Sequence, residues 1–234
     1  MTDKQAVRIL SAGAPKTGVR ACAEAFAASS GTPFEIEFAT APVIRERVSA
    51  GAANADLVVA PLPAMQAFAG TGHVEPEALA PIGSVTVGVV VRDGAREPDL
   101  STVEAFTRAV LSAEAVVYNT ASSGEYITRM LEKLGIADQV ASKTIRVPTG
   151  AAVMEHLAAH PSENVIGFGQ ITEIRLHDDL GTHLVAPLPE AIGKTTTYAA
   201  GPLAGAQRPD AARALAAFMA SPDGKRIFVA SGVL

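Results

Sequence analysis

Residues Val116 to Gly135 read VVYNTASSGEYITRMLEKLG, and the fold turns on this stretch. A β-branched strand leads into a small polar loop and then an amphipathic helix. Ile127, Met130, Leu131 and Leu134 recur at helical spacing, and Gly135 supplies the stop. Ser122, Ser123 and Gly124 fall where that helix begins. A helix start carries unpaired backbone N–H groups and the positive end of the macrodipole. Small residues let a ligand approach that backbone closely, so the loop is a candidate anion seat. The competing reading is an ordinary capped helix with Ser122 or Ser123 as N-cap.

Working towards the N-terminus, Ala6 to Ser11 reads as a buried strand, followed by the loop Ala12–Thr17 and a helix over Val19–Ser29 ended by Gly31. Phe34–Ala39 alternates like a strand, Val43–Ala50 is helical, Asp56–Ala60 is a strand, and a short helix spans Ala64–Phe68. Strand and helix alternate, which predicts βαβ units and a parallel sheet. Such sheets bind ligands beyond the carboxyl ends of their strands, here at Ser11–Thr17, Thr40–Pro42 and Ala60–Pro63. A long β stretch, Ser84–Arg92, follows. The alternation then restarts with a helix at Val103–Ser112, strands at Ala115–Tyr118, Thr144–Val147 and Val165–Phe168, and helices at Glu125–Leu134 and Ala151–His160. Leu184–Pro187 and Thr195–Ala200 read as strands. The tail is helical, with Asp210 capping Ala211–Met219 and Ser221-Pro222-Asp223-Gly224 preceding Lys225–Ala230. The pattern suits two βα lobes joined by two crossover strands, residues 1–84 plus 199–234 and residues 85–198, with hinges near 84–92 and 194–201 and the ligand between the lobes.

The bulk composition narrows the classes. The chain has 234 residues, 48% hydrophobic and 18% charged, which fits a well-buried α/β core and excludes a disordered tail. A net charge of −5 argues against nucleic acid as partner. A small anion is still admissible, because local N–H dipoles outweigh a distant net charge. Cys22 is the single cysteine and sits in a helical pattern, as a buried inert thiol would. No apolar run has the length of a signal peptide or of a membrane span, so no membrane insertion is expected. The compartment is periplasmic if a leader was removed, cytoplasmic if Met1 is the native start.

Signatures of other chemistry are weak. His156 and His160 stand four apart on one helix, but no third ligand or glutamate base completes a zinc pattern. His177 and His183 have no ligand-grade spacing, and His73 lies in a Gly-rich loop. The Gly-x-Ser-x-Gly elbow and the phosphate-binding Gly-rich loop with its lysine are absent from the sequence, which removes the common hydrolases and nucleotide hydrolases. No cofactor or metal is called for. Tyr126, one turn into the central helix, is a candidate site residue or a packing tyrosine. Arg129 and the Arg45-Glu46-Arg47 run read as solvated helix faces, and Arg146 as a secondary carboxylate clamp.

Five stretches together resemble the type II periplasmic solute-binding proteins, specifically their molybdate-binding branch. They are VRILSAGAPKTGV, FEIEFATAPVIRERVSAGAANADLVVAP, SSGEYITRMLEKLG, ENVIGFGQITE and FMASPDGKRIFVASGV. Their order and spacing cover nearly the whole chain. The resemblance implies a two-lobed α/β fold and an oxyanion held by hydroxyls and backbone N–H groups. It also implies delivery of the anion to a membrane transporter of the ABC type. Carried over by position, the site residues are Ala14 and Thr40 in the first lobe, and Ser122, Ser123, Ala152 and Gln170 in the second, while Ser11 is a candidate from its place at the carboxyl end of the first strand. Where Ala14 stands the family usually has serine, and where Gln170 stands it often has tyrosine. Two lost hydroxyls disfavour molybdate. Lys16 and Thr17 add a charge and a hydroxyl that a carboxylate would use. A small organic anion, a di- or tricarboxylate, is therefore the expected ligand. An enzyme on the same scaffold is the alternative, since some proteins similar to this family isomerise unsaturated tricarboxylates such as aconitate. Lys16, Tyr126 or a histidine would then move the proton.

Overall fold

The computed structural model describes residues 6–160 and 162–234. The chain divides into two compact units, one formed by Met1–Val85 with Thr196–Leu234, the other by Thr86–Thr195.

The first unit begins with β1 (Val7–Ala12), α1 (Lys16–Ser30), β2 (Phe34–Ala39), α2 (Ala41–Ser49), β3 (Leu57–Pro61) and α3 (Leu62–Gly70). β1 lies between β2 and β3 and is parallel to both. α1 stops at Gly31, whose φ of +66° is the left-handed closure that glycine adopts without steric cost. β4 (Ala80–Arg92) carries the chain into the second unit, and β9 (Thr195–Pro202), described with its neighbours below, brings it back.

The second unit contains α4 (Val103–Ser112), β5 (Ala115–Asn119), α5 (Ser122–Lys133), α6 (Ala137–Val140), β6 (Thr144–Val147), α7 (Gly150–Ala159), β7 (Val165–Gln170), α8 (Ile171–Leu176) and β8 (Thr182–Pro187). β5 is parallel to β6 and β7, while β4 is antiparallel to both β7 and β8. The inner strands β4, β5 and β7 alternate between two apolar layers. Val87, Val89, Val116, Tyr118, Ile166 and Phe168 face the helices α4, α5 and α6. Val90, Ala115, Val117 and Val165 face α7 and α8. Helices thus cover both faces, which is why these strands read as near-continuous hydrophobic runs. Phe106 and Phe168, both fully buried, meet with centroids 5.9 Å apart. Full burial of one such side chain contributes about 1.5–3 kcal/mol.

In the first unit the returning β9 is antiparallel to β3. The tail adds α9 (Pro209–Ala220) and α10 (Pro222–Ala230). Asp56, fully buried, accepts from the Arg8 N–H at 2.9 Å and from the N–H groups of Gln207 and Arg208 at 2.7 and 3.0 Å. One carboxylate therefore ties β1 to the start of α9. In the Ser-Pro-Asp-Gly motif, Ser221 caps α10 by accepting from the Gly224 N–H at 3.2 Å. A Cβ on Gly224 would collide with the carbonyls of Phe218 and Met219, so the motif requires glycine at its end.

Several elements differ from their sequence-based limits. The alternation predicts a parallel sheet, yet β4, β8 and β9 run antiparallel to their neighbours. α6 and α8 are too short to give a periodic signal. Asp210 is not the cap of α9. Arg208 occupies the N-cap, and the Asp210 carboxylate accepts from Arg213 at 2.8 Å. Cys22 is fully buried, donates to the Gly224 carbonyl at 3.6 Å, and burial pushes its thiol up to about 12.

Candidate functional site

In the first unit the carboxyl ends of β1, β2 and β3 open into α1, α2 and α3. Ser11 is fully buried in β1 and donates its hydroxyl to the Ala12 carbonyl at 3.0 Å. Ala14 lies in the turn before α1. Lys16 and Thr17 are the first two residues of that helix, Lys16 half-buried and Thr17 exposed. No side chain caps α1, whose N-cap is Pro15. Thr40 is the N-cap residue of α2, but its hydroxyl makes no cap bond and has no hydrogen-bond partner among the described residues. These residues belong to the rim that sheet topology predicts.

In the second unit the corresponding rim is built differently. α5 begins at Ser122, so Ser122, Ser123 and Gly124 are helical and the N-cap position is Ala121. Neither serine is the cap. Asn119, the last residue of β5, takes that role from a distance. Its Oδ1 accepts from the N–H groups of Ala121 at 3.0 Å and Gly124 at 3.2 Å, and its Nδ2 donates to the Ser123 hydroxyl at 3.0 Å. Gly124 is obligatory here, because a Cβ would strike the Asn119 carbonyl. The N–H groups of Ser122 and Ser123 have no acceptor within the helix, and the Ser122 hydroxyl is also without a partner among the described residues. The arrangement presents two donors and a hydroxyl at the positive end of a 12-residue helix.

The remaining predicted residues have mixed positions. Ala152 is in the first turn of α7, but its N–H already donates to the Thr149 hydroxyl at 3.2 Å, so it offers no free donor. Gln170 ends β7 with 2% exposure, and its Oε1 is buried without a partner. A half-turn of the amide would present its NH2 there instead. Tyr126 is half-buried and donates to the Ile192 carbonyl at 2.8 Å, and burial raises its phenol. Arg146 stacks on the Tyr118 ring with 4.7 Å to the centroid and donates to the Thr128 hydroxyl at 3.2 Å. Asn119 escapes sequence reading because it ends an apolar strand. The available signal was its place just before the Thr-Ala-Ser-Ser-Gly run, where Asn commonly bonds nearby backbone. His156 and His160 pack ring to ring at 5.5 Å, and no cluster of three or more metal-binding side chains occurs among the described residues.

The chain is 27% identical to a Pseudomonas sp. protein named aconitate isomerase, over 96% of this chain and 86% of that protein. Its fold is similar to that of the periplasmic molybdate-binding protein of Azotobacter vinelandii. There the TM-score is 0.76 at 14% identity, with 97% of this chain and 98% of that one covered. It is equally similar to the sulfate-binding protein SubI of Mycobacterium tuberculosis H37Rv, with a TM-score of 0.76 at 16% identity and coverage of 98% and 86%. The fold is thus that of the two-lobed type II periplasmic binding proteins. Among the described residues no helix is long and apolar enough to cross a membrane. The model of one family matches residues 7–234, and the chain belongs to that family, the bacterial extracellular solute-binding proteins.

Proposed function

We propose that the protein binds a small organic carboxylate in preference to molybdate or sulfate, and delivers it to a membrane transporter. The observation that carries this reading is the start of α5, where Asn119 holds the turn and leaves the Ser122 and Ser123 N–H groups open. A carboxylate oxygen pair matches two such donors. Within the second unit the contacts we assign are Ser122, Ser123, Tyr126 and Gln170, and within the first unit the rim candidates are Ser11, Ala14, Lys16, Thr17 and Thr40. Ala14 and Gln170 stand where the resemblance to the molybdate-binding branch implies two hydroxyl donors. A tetrahedral oxyanion then finds fewer partners, and a site lacking donors rejects the ligand that needs them.

A second reading has one specific observation in its favour, the relative named aconitate isomerase. On that reading the bound carboxylate is unsaturated, and a side chain beside it moves a proton along the carbon skeleton.

The test is a thermal-shift screen against molybdate, sulfate, citrate, tricarballylate and trans-aconitate. A ligand at about 100 times its Kd stabilises by about 2.7 kcal/mol, which raises the midpoint of a chain this size by roughly 5–10 °C. The carboxylates should shift the melt and the tetrahedral oxyanions should not. The reverse order overturns the proposal. Thr40→Ala should weaken binding about tenfold while leaving the ligand-free midpoint unchanged, since its hydroxyl bonds nothing in the fold. Chromatography of trans-aconitate after incubation separates binder from isomerase.

A further inference from the structure

Lys194 is a half-buried ammonium with no ion pair among the described residues. It precedes β9, and its backbone is fixed at a known place on the second unit's sheet. The Lys194 carbonyl accepts from the Val87 N–H at 3.2 Å, and Val87 is in register with Gln170 at the end of β7. Lys194 therefore sits at the same end of the sheet as the α5 start. Its Nζ lies over the Tyr126 ring, 4.9 Å from the centroid, and Tyr126 is held in place by its bond to the Ile192 carbonyl. Tyr126 follows Ser122 by one helical turn, a spacing of about 5–6 Å between side-chain positions.

We propose that Lys194 is the second seat of the ligand site, receiving one carboxylate of a polycarboxylate while another occupies the open N–H groups of Ser122 and Ser123. This rests on the carboxylate reading above and narrows it to ligands with at least two carboxylates on a short carbon skeleton.

The charges around Lys194 support the assignment. Burial is the first cause disfavouring its charged form, Arg129 adds to it, and Glu125 opposes both. Two cations against one carboxylate leave a local surplus of positive charge. A partly desolvated ammonium without a counter-ion is costly, and an incoming carboxylate relieves that cost. Tyr126 gives the alkyl stem and ammonium a ring to rest on, which fixes where the charge points. A monocarboxylate or a tetrahedral oxyanion fills one seat and gains nothing from the other.

The experiment compares calorimetric titrations of tricarballylate, trans-aconitate and acetate into the wild type, Lys194→Met and Lys194→Arg. Methionine keeps the apolar stem against Tyr126 and removes the charge. The expected result is a loss of about tenfold or more for both tricarboxylates in Lys194→Met, recovery in Lys194→Arg, and no change for acetate. Circular dichroism melts report whether each variant folds, and if Lys194→Met does not, Lys194→Gln takes its place. Wild-type binding of the tricarboxylates that Lys194→Met retains in full overturns the assignment of Lys194 alone. A wild type that binds no carboxylate overturns the functional reading beneath it.

Discussion

The two strand-to-helix turns at the candidate rims, β1–α1 and β5–α5, both carry small residues and are secured in different ways. Before α5, a side chain from the strand itself wires the turn, with Asn119 bonding Ala121, Ser123 and Gly124. Before α1 there is no side-chain cap, and the helix is seated by packing. Gly18 lies so close to the Phe228 ring that a Cβ would overlap it. The main polar hub of the first unit is elsewhere, at Asp56, which gathers Arg8, Gln207 and Arg208 at the far end of β1 from the rim. The second unit thus places its polar wiring at the candidate site, whereas the first places it away from the site. A wired turn holds donors in fixed directions, which is what selective anion binding needs.

Glycine substitution breaks the comparison most strongly. Gly124→Ala should lower stability by about 3 kcal/mol or more, because its Cβ meets the backbone carbonyl of Asn119 and the wired turn cannot move. Gly18→Ala should cost less, about 1–2 kcal/mol, because the obstacle is a side-chain ring and not the backbone. Urea unfolding midpoints of the two variants measure the difference, and equal costs would show that both turns are equally rigid.

Replacing Asn119 sharpens it. Asn119→Ala removes the acceptor of two backbone N–H groups and should cost about 1–2 kcal/mol. Asn119→Asp keeps the acceptor, so the fold should survive, but its negative charge stands beside the anion seat. Tricarballylate affinity should then fall by about tenfold or more. Unimpaired affinity in Asn119→Asp would remove the α5 start from the site.

The smallest effect concerns a surface tie in the first unit. Arg213 donates to both Glu75 oxygens, at 2.7 and 2.8 Å, and these bonds hold the Glu75 carboxyl below its usual range. A lowered folded pKa contributes stability above the ordinary carboxylate value of about 4.3, and that contribution is lost as pH falls through the lowered value. Glu75→Gln should therefore melt slightly below wild type at pH 7, with the gap closing under acid. Exposure keeps the effect small and salt-sensitive. A gap that widens in acid would contradict the ion-pair origin.

Much of the architecture is legible in the residues. The alternation of apolar runs with amphipathic stretches locates β2, α4 and β6 to the residue, because strand and helix periods are short-range properties of the chain. The Ser-Ser-Gly start of α5 is legible as a helix terminus for the same reason, although it begins three residues before the sequence-based limit at Glu125. Its capping by Asn119 is not legible, since an asparagine at the end of Val-Val-Tyr reads simply as the end of a strand.

What the sequence determined by itself is the strands and the longer helices, the family, and the small, polar character of the loops at their junctions. The tertiary structure alone decided that β4, β8 and β9 run antiparallel, that Ala152 has spent its N–H on Thr149, and that Lys194 rests on Tyr126. Periodicity and capping are written over a few neighbouring residues. Strand direction and the meeting of distant side chains depend on how the whole chain closes, and no local window of residues carries that information.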